Sequence, residues 1–230
     1  MSYFEGRETQ WNYNSLKNFD AISISVQHHL LKVYTTLAIT VLLSTIGVYI
    51  HTLLNIGGII TSLLFILLST WLVVIPPIIE NEIKRLMLLG AAAICEGASV
   101  GTFVAQVLKI NPNIVLVAFL GSTTIFACFT GAAFLARRRE YLFLGGILSS
   151  LISIMIFMQF GSYIFGGLAV MYNIELYLGL AIFVGYVLFD TQMIIERASF
   201  GDHDYIKHTL DLFIDFVAIF VRILIILVGV

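Results

Sequence analysis

The sequence predicts an all-α integral membrane protein of seven transmembrane helices, and three observations carry that prediction. First, 60% of the 230 residues are apolar and only 11% are Asp, Glu, Lys or Arg, with a mean hydropathy of +1.01. A soluble domain carries about 25% charged residues, and a soluble fold of this length lacks the interior to hide so much apolar surface. Second, a bilayer core about 30 Å thick takes about 20 apolar residues per helix, and runs of that length recur seven times. Third, the breaks between runs hold turn residues, and positive charge gathers on one side of them. The same composition excludes disorder, a disulfide scaffold and a coiled coil. A net charge of −2 leaves no basic field to hold nucleic acid. Cys95 and Cys128 lie inside apolar runs and read as small apolar side chains.

Residues 1–32 form an N-terminal cytosolic segment and residues 33–230 one seven-helix transmembrane domain. The first twenty residues are polar, with no basic stretch leading into an apolar one and no small-residue cleavage site, so no signal peptide is read. The first span, 33–54, meets the break Asn55-Ile56-Gly57-Gly58, and the second, 56–75, ends at Pro76-Pro77. The third and fourth, 86–108 and 114–136, are parted by Asn111-Pro112-Asn113. Arg137, Arg138 and Arg139 precede the fifth, 141–160, and Gly166-Gly167 precedes the sixth, 176–195. The seventh is 209–230. No connection is long enough for a second domain.

Charge then orients the chain. Arg7, Lys17, Lys32, Lys84, Arg85, Arg137, Arg138, Arg139, Arg197 and Lys207 fall on one side, against Lys109 alone on the other. Under the positive-inside rule the N-terminus is cytosolic. Seven full spans put the C-terminus on the opposite face, whereas a re-entrant last segment returns it to the cytosol. Ala93, Gly97, Gly101 and Ala105 recur every fourth residue, a stripe that lets another helix approach closely. Gly145, Ser149 and Ser153 repeat that pattern on the fifth span.

Five ionisable residues remain inside the spans: Glu96, Asp190, Asp211, Asp215 and Arg222. At about 2.5–3.5 kcal/mol each near the bilayer centre, such groups are paired, protonated or in contact with water. With a rise of about 1.5 Å per residue, Asp190 and Asp215 both lie roughly 7–9 Å from the cytosolic boundary, on antiparallel neighbours joined by a short loop. Two carboxyls in one low-dielectric site cannot both ionise cheaply, so they would share a proton and sense pH. Asp211 sits one turn before Asp215, about 3 Å inside the boundary, either as an interfacial acid or in a vestibule. Glu96 lies near the midplane, and Arg222 lies seven residues beyond Asp215; the two would form a buried pair or line an ion path. Oxygen-only acids suit a hard cation such as Ca²⁺, with Asp190 and Asp215 as transient ligands, better than zinc or copper.

Gly97-Ala98-Ser99-Val100-Gly101 has the spacing of a serine-hydrolase elbow, but that motif needs a strand, a turn and a helix. Mid-span placement argues against hydrolase chemistry, and no enzyme is predicted. The histidines, at 28, 29, 51, 203 and 208, fall in or near loops without buried ligand spacing; His203 and His208, in the sixth–seventh loop, read as surface residues, with modulation of a pH response as the alternative.

The stretch Gly185-Tyr-Val-Leu-Phe-Asp-Thr-Gln-Met-Ile-Ile-Glu196 resembles the signature of the Bax inhibitor-1 family, the transmembrane Bax inhibitor motif proteins. So do Gly201-Asp-His-Asp-Tyr-Ile-Lys-His208, Leu212-Phe-Ile-Asp-Phe216 and Arg137-Arg-Arg-Glu-Tyr-Leu-Phe-Leu-Gly-Gly146. The resemblance runs in order over residues 27–224. It implies seven helices with the last held centrally within the other six, and a paired-aspartate pH sensor at Asp190 and Asp215. It further implies a pH-sensitive Ca²⁺ leak in the endoplasmic reticulum membrane, with Ca²⁺ as transported ion and no cofactor, suppression of Bax-induced cell death, and binding of membrane proteins including Bcl-2 relatives. Animal members commonly end in a lysine-rich tail, and none is seen in the sequence up to Gly229-Val230, so tail-dependent partners are not expected from it. The second-helix arginine that latches the sensor in some bacterial relatives has no counterpart in 56–75, so any latch comes from another residue. Other readings are a non-conducting scaffold that inhibits cell death by binding other membrane proteins, and a proton-coupled transporter. A ceramidase-type membrane hydrolase is a further reading, against which counts the absence of buried zinc-ligand histidines from the sequence pattern.

Overall fold

The computed structural model describes residues 23–135, 141–165 and 168–229. Arg7, Lys17, Arg137, Arg138, Arg139 and the Gly166-Gly167 break lie outside them. Among the described residues the chain is wholly helical between its turns, with seven α-helices and no strand.

Helix α1 (Ile24–Leu54) starts where Ser23, in extended geometry, accepts the Val26 N–H, and it stops where Asn55 turns left-handed at φ 54°. At 31 residues it is about 46 Å long, so it begins nine residues before the predicted span and carries Gln27, His28 and His29 in its first turns. Helix α2 (Ile59–Val74) has 16 residues, about 24 Å, and Pro76-Pro77 prevents its extension. A 3₁₀ turn at Ile79–Asn81 leads into α3 (Glu82–Ile110). Helix α4 (Pro112–Leu135) begins at the Asn-Pro-Asn break itself. Pro112 takes the first helical position, where no N–H is needed, and the Asn111 side-chain oxygen accepts the Asn113 N–H at 3.0 Å. Helices α5 (Leu144–Phe165), α6 (Leu168–Ser199) and α7 (Tyr205–Val228) complete the bundle.

Helices α1, α3, α4, α5 and α6 are long and apolar enough to cross a bilayer, and the protein is a multi-pass membrane protein. Helix α2 is short for a full crossing, and α7 carries Asp211, Asp215 and Arg222 within its apolar length. Yet α7 is the most enclosed helix, with Leu212, Phe213, Ile219 and Leu224 all buried. It packs against α1, α2, α3, α4 and α6, while α5 lies outside against α6. Burial among neighbours is what makes its charges tolerable, since none of them has to face lipid.

The α3 stripe meets α1. A Cβ at Gly97 would strike the Ser44 carbonyl oxygen, and one at Gly47 would strike that of Ile94. The two backbones touch directly at these glycines, with Ala93 buried alongside. On α5 the outcome differs: Gly145 abuts Phe189, but Ser149 and Ser153 are exposed and their hydroxyls donate to carbonyls in their own helix. Ser99 sits mid-helix on α3, donating to the Cys95 carbonyl and bonded to Thr61 and Ser62 of α2. Its setting is continuous helix, so the elbow motif is absent.

Candidate functional site

The turn between α6 and α7 sets the register of the acids. Helix α6 ends at Ser199, Gly201 takes φ +94°, a value that glycine adopts without strain, and Asp204 then caps α7 by accepting the Lys207 N–H at 3.1 Å. The resulting antiparallel hairpin brings Asp190 of α6 close to Asp215 of α7, each carboxyl within the field of the other. Two carboxyl groups so placed could hydrogen-bond only if one kept its proton to donate. Asp215 is 4% exposed, and its Oδ2 is buried with no hydrogen-bond partner. Asp211, one turn earlier, lies in the field of both. Arg197 acts on Asp190 and Asp211 from the α6 terminus, and Lys207 acts on Asp211. The Tyr186 ring completes the surroundings of the pair. Val187, Ile194, Leu212, Phe213 and Phe216, near the pair along α6 and α7, belong to one buried apolar cluster.

Arg222 lies elsewhere than the expected pairing with Glu96. Its guanidinium stands 4.5 Å from the centre of the Phe183 ring, and its Nη1 donates to the Ala218 carbonyl at 3.1 Å. Gly179 leaves the space it occupies, since an added Cβ would sit 2.5 Å from its Nε, and Glu175 is the acid that acts on it. The reason is helical phase: seven residues is close to two turns, so Arg222 shares the face of Asp215, which is turned to α6 rather than α3. Glu96 is half-buried on α3, with no ion pair to Arg222 among the described residues.

At the end of the bundle where α7 begins, the structure assembles a second group of polar residues that the sequence reading left dispersed. Arg85 of α3 is 2% exposed and grips Asp204 with two hydrogen bonds of 2.8 and 2.7 Å, while its Nε donates to the Leu72 carbonyl at 3.3 Å. Burial works to raise the Asp204 carboxyl, but Arg85 and the Lys207 amide outweigh it and hold the group below the usual carboxylate range. The Tyr205 hydroxyl donates to Glu82 at 2.6 Å, and Lys32 lies over the Tyr205 ring. Thus α7 is pinned at its first turn to α3 and α1.

The histidines correct the surface reading. His208 is 1% exposed and His29 is 3% exposed; their Nδ1 and Nε2 atoms lie 3.0 Å apart, one ring donating and the other accepting. His203 packs edge-on against His29, and Asp202 lies 4.0 Å from His208 Nε2. His51 is buried as well, between α1 and α3. Both His29 and His208 occupy terminal turns of helices that converge, which loop-like sequence surroundings concealed. An Asp directly before a helical apolar run is an N-cap signal that could have marked Asp204; nothing local in the sequence marks Arg85 as its partner.

The model of the family described as inhibitor of apoptosis-promoting Bax1 matches residues 26–230. The chain is 52% identical over 228 residues to Bax inhibitor 1 of Arabidopsis thaliana, covering 98% of this chain and 92% of that one. Against Bax inhibitor 1 of Oryza sativa subsp. japonica it is 50% identical over 217 residues, covering 94% and 86% respectively. Against Bax inhibitor 1 of Homo sapiens it is 41% identical over 218 residues, covering 94% and 92%.

Proposed function

Because the chain belongs to the family of inhibitors of apoptosis-promoting Bax1, we propose that it suppresses Bax-induced cell death as a pH-sensitive Ca²⁺ leak of the endoplasmic reticulum membrane. In this reading the leak lowers stored Ca²⁺, and the proton held between Asp190 and Asp215 sets its rate. The observation that supports it is the placing of Asp190 on α6 close to Asp215 on the central helix α7. With the proton present, the two side chains bond and hold the helices together. When it leaves, two like charges face each other in a poorly hydrated site, and α7 and α6 are driven apart or the pair is opened to water. A cation passing the same level meets up to three carboxylates, of Asp190, Asp211 and Asp215, as oxygen ligands. In this reading contact with Ca²⁺ is transient, as suits a transported ion.

A change of one pH unit acting through one proton supplies about 1.4 kcal/mol, enough for a tenfold change in open probability. A graded leak, rather than an absolute gate, matches that magnitude. The Arg85–Asp204 clasp and the His29–His208 contact anchor the cytosolic end of α7, so movement is directed to the helix beyond its first turn. Neighbouring membrane proteins, Bcl-2 relatives among them, are the proposed partners of the outer faces.

The test is Ca²⁺ flux into liposomes holding only the purified protein, measured over roughly pH 5.5–8. Wild-type flux is expected to change severalfold across this range, with Asp190→Asn and Asp215→Asn each flattening the curve. Folded protein that passes no Ca²⁺ at any pH would end the channel reading in favour of a non-conducting scaffold.

A further inference from the structure

A cavity of about 350 Å³ opens between α1 and α4, two helices that share little contact with each other. Its floor is the central helix, through Phe213, Phe216, Val217 and Phe220, and its back wall is α3, through Val100 and Val104. The only hydroxyls on it belong to Ser44 and Thr45, and Thr45 already donates to the Val41 carbonyl at 3.0 Å. A water molecule needs two to four polar partners to be held in such a place, and these walls do not offer them. Folded proteins also leave few voids of this size empty.

What fills the space follows from where it opens. Helices α1 and α4 are both long and apolar enough to cross the bilayer, and Leu116 at the rim is exposed. The mouth therefore faces hydrocarbon, where acyl chains are the solvent. From Val41 to Val48 on α1, and from Phe213 to Phe220 on α7, is about 10 Å of helix in each case. That is an elongated slot, in the lower part of the range for small-molecule sites. We propose that this groove binds one acyl chain of a bilayer phospholipid, laid along α1 and α4 against α7. The occupant would touch the helix that carries Asp215 without touching the acid, and would brace the aromatic contacts of Phe119 with Phe216 and Phe220.

The experiment uses the full chain in phosphatidylcholine liposomes doped with a phosphatidylcholine that carries a diazirine in its acyl chain. After irradiation, labelled residues are mapped by mass spectrometry. In the wild type, labels are expected on the buried Phe213 and Phe216, which lipid on the outer surface does not reach, as well as on exposed Phe157 of α5. Filling the slot by Val100→Phe or by Val115→Trp should cut labelling of Phe213 and Phe216 at least about fivefold and leave Phe157 unchanged. Labels confined to the outer faces, with none on Phe213 or Phe216 in the wild type, overturn the proposal, and so does labelling of those two residues that neither folded variant reduces. Cross-links between two copies through α1 or α4 would instead assign the groove to a second chain.

Discussion

Replacing Arg85 with alanine is expected to destabilise the folded protein by about 3–5 kcal/mol, the cost of leaving a buried charge without its partner. Arg85 and Asp204 are 3% and 9% exposed at the side chain and 2.7 Å apart, so solvent does little to replace the lost cation. The loss is larger than one ion pair suggests because Asp204 also caps α7 and Arg85 also holds the end of α2. Lysine should recover only part of it, since a single ammonium cannot supply the two parallel bonds of the guanidinium fork. The double variant Arg85→Met with Asp204→Asn is expected to lose clearly less than Arg85→Ala, because the amide keeps a capping oxygen and no bare charge is buried. Thermal unfolding in detergent, compared across the three variants, checks this. Acid supplies an independent readout. The folded Asp204 carboxyl lies below its unfolded value of about 3.9, so its contribution is complete above that pH and is lost as pH falls through the depressed value. Wild type should lose this increment of stability on acidification, and Arg85→Ala should lose less of it.

The second large effect is expected at Gly97. Its place against the Ser44 carbonyl leaves no room for a methyl group, and a carbonyl in a helix cannot rotate away. Gly97→Ala should cost about 1–3 kcal/mol by overpacking, and Gly97→Val should cost more and lower the yield of folded protein. Gly131 of α4 is the matched control, since nothing stands within 4 Å of a Cβ there. Alanine at that position is expected to be neutral or to gain up to about 1 kcal/mol from the loss of unfolded-state freedom. Equal losses at positions 97 and 131 would show that helix propensity, not the α1–α3 contact, dominates.

Helix number and order were readable because a bilayer demands runs of fixed length, and proline, asparagine and glycine interrupt them visibly. Helix ends were not, since α1 and α6 extend past the hydrocarbon into polar sequence that no hydropathy rule assigns. The meeting of Asp190 with Asp215 could be computed from helical rise and a short hairpin, both local quantities. The partner of Arg222 could not, because it depends on which neighbour the shared face meets, and α6 rather than α3 stands there. Arg85 and Asp204 lie 119 positions apart in the chain, and His29 and His208 lie 179 apart. Such pairs leave no periodic trace in either partner.

The three ionised-type side chains on the most enclosed helix also constrain how the protein is made. On insertion scales Asp211, Asp215 and Arg222 would each oppose entry of α7 into lipid by up to about 2.5–3.5 kcal/mol, so as a free segment it has little tendency to partition from the translocon. Its neighbours α1, α2, α3, α4 and α6 all emerge from the ribosome earlier. Helix α7 can therefore enter a receptacle that its earlier neighbours form, meeting protein rather than membrane.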